Sequence, residues 1–197
     1  MKFGSVPLKE AEVRFKKGTR LAVPEIAALQ TAGIGEVIVA RLEEGDIAED
    51  NAAARLAATA LHPSVRIASP STGRVNIHAE ADGLFVVDRH AIEAINRVDP
   101  SITIATLAEF APVACGQMVA TVKIIPFAVP VEKLDAAIAA AKSASPLLKV
   151  APWFSKPVGL VATELPSLKP EVMDKTARIL QARLARSGSI LMKEVRV

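Results

Sequence analysis

The chain has 197 residues, 51% of them hydrophobic but only 4% aromatic and none Tyr, so it can bury a sizeable core built from Ala, Val, Ile and Leu. Its net charge of +3 comes from 24 basic and 21 acidic residues, mixed along the chain with no basic block interleaved with aromatics, which argues against a nucleic-acid surface. The single cysteine, Cys115, excludes an intrachain disulfide framework and points to a reducing cytoplasm. No signal-peptide core opens the chain, and no apolar run reaches the ~20 residues of a membrane helix.

In chain order, "KKGTRLAVPEIAALQTAGIGEVIVARL" reads as a turn at Gly18, a helix with Pro24 in its first turn, and a stop at Gly33. A strand, "EVIVARL", follows. Asp46–Asn51 reads as an acidic cap region, and Ala52–Leu61 as a helix. Residues 63–130 read as short strands punctuated by Pro70, Gly73 and Gly83, with one inserted helix, "RHAIEAINRV". "SITIATL" and "QMVATVKIIPFAV" are further strands, with Pro126 at a strand end. "PVEKLDAAIAAAKSA" is a helix and "SPLLKVAPWFSKP" a strand with a Pro-marked linker. The last unit is a strand "VGLVAT", a loop "ELPSLKPEVM", a helix "DKTARILQARLARSG" and a strand "ILMKEVRV". The expected fold is mixed α/β in three parts: an N-terminal α/β segment (1–62), a β-rich module with inserted helices (63–150), and the first β-α-β unit of a doubly wound domain (151–197).

That last unit resembles the start of the molybdopterin-binding domain of molybdenum-cofactor biosynthesis proteins. Thr163, Glu164 and Leu165 match the strand end and the acidic-Leu pair. Asp174, Lys175 and Thr176 stand where the family opens its first helix, with Thr176 in the place of an Asn. The Gly-Asp pair that often separates the Thr from the acidic-Leu pair is absent. "KKGTRLAVPEIAALQTAGIGEVIVARL" is similar to a stretch of the molybdopterin molybdotransferases that lies just before their pterin-binding domain. "SPSTGRVNIHAEADGLFVVDR" and "VATVKIIPFAV" look like the middle region of a molybdopterin-binding subfamily seen alone or fused to a nucleotidyltransferase that modifies the cofactor. Measured against those relatives, the sequence passes abruptly from Glu12 to Val13 and stops after one β-α-β unit, so segments are expected to be missing there.

The resemblance implies molybdopterin, or a nucleotide derivative of it, as ligand. An open parallel α/β sheet binds outside the carboxyl ends of its strands, and a helix N-terminus offers free N–H groups to phosphate. The loop after Thr163 is expected in that place. Thr163, Glu164, Ser167, Lys169, Asp174, Lys175 and Thr176 are the candidate ligand contacts, with Asp174 at a helix N-cap and Thr176 on the first turn. Each has a plain alternative: Asp174 as cap alone, the lysines as solvated charges, Thr163 as a strand end. Thr72 and Arg74 in the "STGRVN" turn are secondary candidates, or simply turn residues.

The molybdotransferase reaction uses acidic residues and a metal ion. Those acids are not identifiable in this chain, so binding is expected of it, with Mg²⁺ a matter for a complete protein. His62, His78 and His90 show no ligand spacing, and no metal site is expected from them. Cys115 reads as a buried or idle thiol. Self-association is expected from the resemblance. Two other classes compete: a structural oligomerisation module, and a biotinyl- or lipoyl-type carrier with Lys123 as the modified residue.

Overall fold

The computed structural model describes residues 2–3, 15 and 18–197; the Glu12–Val13 junction lies outside them. The chain is mixed α/β. Its first elements are β1 (Lys2–Phe3), α1 (Val23–Thr31), β2 (Val39–Ala40), β3 (Asp46–Ala48) and α2 (Glu49–Ala57), which runs on into a 3₁₀ turn, Ala58–Ala60. Next come β4 (Val65–Ile67), β5 (Arg74–Ala79), β6 (Gly83–Val87), α3 (Arg89–Val98), β7 (Ile102–Thr106), β8 (Pro112–Val113) and β9 (Met118–Ile124). The chain continues through β10 (Ala128–Pro130), α4 (Val131–Lys142), β11 (Leu148–Pro152), β12 (Pro157–Ala162), α5 (Pro170–Ala185) and β13 (Ile190–Arg196).

The first helix forms as its punctuation suggests. Pro24 sits in the first turn, the Glu25 carboxylate accepts the Ala22 N–H at 2.9 Å, and Gly33 takes φ +73° just past the end. Leu21 and Leu29 bury against Phe15, Ile34, Val37 and Val39 in a small core of their own. "EVIVARL" is regular only at Val39–Ala40, because its antiparallel partner β1 is two residues long.

The main core is built on a four-stranded antiparallel sheet in the order β4-β5-β9-β7. Strand alternation decides what it buries: Val75, Ile77 and Ala79 of β5, and Val122 and Ile124 of β9, face inward. α2 lies against β5 and β9 through Ala52, Ala53, Leu56 and Ala57, all fully buried. The alanines let the helix axis come close to the sheet. A second sheet, β11-β6-β8, adds Phe85, Leu148 and Val150 to the same cluster, and the paired helices α3 and α4 add Ile95, Leu134, Ala137 and Ala141.

Two sequence expectations shift here. Asp46–Ala48, read as a cap region, is a strand paired with β10, and the helix after it starts at Glu49 rather than Ala52. Residues 46–61, assigned to the N-terminal segment, pack into one core with 65–150. The reason is that α2 has its buried face opposite β5 and β9.

Glycine is required at two turns. Gly73 has φ +71°, and a Cβ there would lie 2.6 Å from the Ile124 carbonyl oxygen. Gly83 opens β6 so close to β11 that a Cβ would lie 2.1 Å from the Ala151 oxygen. Gly83→Ala is expected to destabilise the protein by about 1–3 kcal/mol or more in chemical denaturation, as overpacking does. Gly35→Ala, where a Cβ meets nothing within 4 Å, is expected to change stability by less than about 0.5 kcal/mol.

Asp99 ties α3, β7 and α4 together. It accepts from Lys133 Nζ at 2.5 Å and from both the N–H and the hydroxyl of Ser101, at 2.9 and 2.5 Å. The Lys133 hydrogen bond, then those of Ser101, hold its carboxyl down from 3.8 to about 2. A depressed carboxylate stabilises the fold above its unfolded value and loses that contribution as pH falls through the folded value. The stability gap between wild type and Asp99→Asn should therefore stay flat above pH 3.8 and narrow from there down to about 2, read by acid titration of unfolding.

Candidate functional site

β12 and β13 pair in parallel, with α5 crossing between them, as the strand-loop-helix-strand pattern leads one to expect. The ladder closes at its carboxyl end. The Val197 N–H donates to the Ala162 oxygen at 3.0 Å, and the Glu164 N–H donates to the Val197 oxygen at 2.6 Å. Residues 163–169 therefore leave the carboxyl edge of the sheet and lead into the start of a 16-residue helix. Thr163, Glu164, Ser167 and Lys169 share this loop, and all four are exposed. A turn bonds the Leu168 N–H to the Leu165 oxygen at 2.9 Å.

The helix starts five residues before the position expected. Lys169, not Asp174, is the N-cap residue, and Pro170 is the first helical residue. Pro is suited to that position because its φ is already helical and it has no N–H to satisfy, while the residue before it is pushed to an extended conformation. Lys169 has that conformation, with φ −69° and ψ 138°. Asp174 lies inside the helix and accepts from the Arg196 guanidinium of β13. Thr176 also lies beyond the first turn, its hydroxyl donating to the Val172 oxygen at 2.9 Å, an ordinary use of a mid-helix Thr. Lys175 is exposed on the same helix.

The structure thus gathers Thr163, Glu164, Ser167 and Lys169 at the sheet edge and sets Asp174, Lys175 and Thr176 further along α5. It adds Arg196, which sequence reasoning passed over as one more charge in "KEVRV". Arg196 donates to Glu194 at 2.7 Å and to Asp174, and those two carboxylates push its pKa further up. Lys169 has no ion pair among the described residues, and so it is the loop's available cation. Glu171 stands in the first turn of α5, an acidic neighbour that complements the helix dipole.

Thr72 and Arg74 belong elsewhere. Their turn is bridged from Ser71 to Arg74 and leads into β5. The Thr72 carbonyl accepts from Lys123 Nζ at 2.5 Å, and the Gly73 N–H donates to Asp50 at 2.7 Å, so the turn is fastened to β9 and α2. Lys123 itself sits mid-strand, opposite both Arg74 and Thr103. A carrier lysine needs a hairpin tip, and this position is not one. Cys115 is exposed rather than buried, because it lies in the tight turn before β9, where its N–H donates to Asp82 at 2.7 Å. His62 Nδ1 lies 2.8 Å from the Ser64 hydroxyl. Among the described residues no group of three or more His, Cys, Asp or Glu side chains is placed to hold a metal ion. No helix of the described residues is long and apolar enough to cross a membrane.

No family model, curated protein or solved structure matches the chain.

Proposed function

We propose that the chain binds molybdopterin, or a nucleotide derivative of it, at the loop between β12 and α5. The observation that carries this reading is the parallel β12-α5-β13 unit, which sets residues 163–169 at the carboxyl end of a strand and at a helix N-terminus together. That is where open α/β sheets take phosphorylated ligands. The ligand's terminal phosphate meets the Lys169 ammonium and the Glu171 N–H, since Pro170 has no N–H and the Val172 N–H is bonded to the Lys169 oxygen at 3.0 Å, and Ser167 donates a hydroxyl. Thr163 and Glu164 present a hydroxyl and a carboxylate to the donors and acceptors of the pterin ring. Asp174 keeps Arg196 oriented at the same edge. The role proposed is binding and delivery to a partner enzyme, fused or separate, of the nucleotidyltransferase kind. The setting that fits such a ligand is the cytoplasm.

Self-association is a second element of the proposal. The two strands leave Val161, Ile190 and Met192 each more than 60% exposed, apolar surface that a second copy would cover. Light scattering is expected to give a multiple of the chain mass; the mass of one chain would contradict it.

The ligand site is tested by anaerobic titration with molybdopterin, followed by its own absorbance. Lys169→Ala and Ser167→Ala are each expected to weaken binding, Lys169→Ala by roughly tenfold or more, the range of a hydrogen bond to a charged group. Thr176→Ala is expected to matter less, since its hydroxyl is already spent on Val172. Unchanged affinity in a folded Lys169→Ala, Ser167→Ala double variant would remove the loop from consideration.

A further inference from the structure

A cavity lies away from this loop. It measures about 750 Å³ and lies at the opposite end of α5, between the last turn of that helix and a wall formed by β6, β8, the turn before β9, and Trp153 just past β11. Ligand pockets run roughly 300–1,000 Å³, and they favour the seams between packed units. This is such a seam. β12, α5 and β13 pack chiefly on one another, and the linker 153–156 carries them. Ser155 and Lys156 fasten the linker to the far side, through the Gly188 oxygen at 2.7 Å and the Ser189 hydroxyl at 3.0 Å.

The two walls differ in chemistry. One presents Arg183 and Arg186, three residues apart at the C-terminal end of α5. Cations suit a helix C-terminus in any protein. Here, however, both arginines line a cavity, and neither has an acidic partner among the described residues. The other wall presents half-buried Trp153 beside Leu84 and Val113. Its backbone is tied down: the Trp153 main-chain N–H donates to the Asp82 main-chain carbonyl at 3.1 Å. Asp82 uses one carboxylate oxygen on Cys115, and Gln117 uses its amide oxygen on the Ala114 N–H at 3.1 Å. That leaves an acceptor on Asp82 and the NH₂ donor of Gln117 at the cavity.

We infer that this cleft is a second ligand site, for a phosphorylated planar heteroaromatic of the nucleoside monophosphate class. Paired guanidiniums match phosphate, an indole and an apolar wall match the face of a base, and one acceptor with one donor matches its polar edge. A free inorganic anion would leave most of the volume and the apolar wall unused. α5 is about 24 Å long, so the site is remote from the loop at its other end.

Trp153 is the one tryptophan and the chain has no tyrosine, so indole emission reports on this cleft. The full chain is titrated separately with AMP, GMP, CMP, UMP and inorganic phosphate while that emission is followed. At least one nucleotide is expected to change it saturably at concentrations where phosphate does nothing. The double variant Arg183→Ala, Arg186→Ala is expected to weaken that nucleotide by roughly tenfold, with an unchanged circular dichroism spectrum because both side chains are exposed and unpaired. Lys169→Ala is expected to leave it unaltered. The inference is overturned by no saturable change with any nucleotide, by phosphate binding as well as the nucleotides, by an unaffected arginine variant, or by Lys169→Ala weakening binding as much as the arginine variant does.

Discussion

The close seating of α2 on β5 and β9 is the constraint on which the rest depends. Ala52, Ala53 and Ala57 have no side chain beyond Cβ to hold the helix off, and Leu56 is buried with them. Opposite them, Val75, Ile77, Val122 and Ile124 present an even, β-branched surface. The chain has few aromatics for filling large gaps, so the core works by nearness. That nearness sets the turns around it. Gly73 has no room for a Cβ because β9 ends against it, and Asp50, on the first turn of α2, takes the Gly73 N–H.

The second sheet transmits this order outward. Phe85 anchors β6 in the core, and β6 carries β11 on one side and β8 on the other. The edge so formed is the fixed wall beside which the final β-α-β unit is hung. That unit has less to bury. Met173 is the one buried residue of α5, and much of the apolar surface of β12 and β13 is open. The well-packed core and the lightly packed unit leave open surface at the unit's two ends: the loop after Thr163, and the cleft beside Trp153.

Much of this was legible in the sequence. Pro24, Gly33, Pro130 and the apolar alternation of β5, β7 and β9 mark their elements because local backbone rules decide them. Two kinds of feature were not legible. Asp46–Ala48 is a strand only because β10, some eighty residues later, lies beside it, and no local pattern announces that pairing. The resemblance puts the start of the last helix at Asp174, whereas Lys169-Pro170 starts it by simple stereochemistry; the Pro is the better signal. Arg196 was hidden for a third reason. Its position beside Asp174 depends on the parallel register of β12 and β13, including the shift between Val158 and Gly159. The cleft at Trp153 draws its residues from four separated stretches, so no single window of sequence contains it.

The central claim is that the carboxyl edge of the β12-α5-β13 unit takes the pterin. The most direct measurement is hydrogen–deuterium exchange of the full chain with and without molybdopterin. The account predicts slowed exchange across residues 163–176, with the Ser71–Asn76 turn unchanged. Unaltered exchange across 163–176, or slowing confined to other parts of the chain, would contradict it.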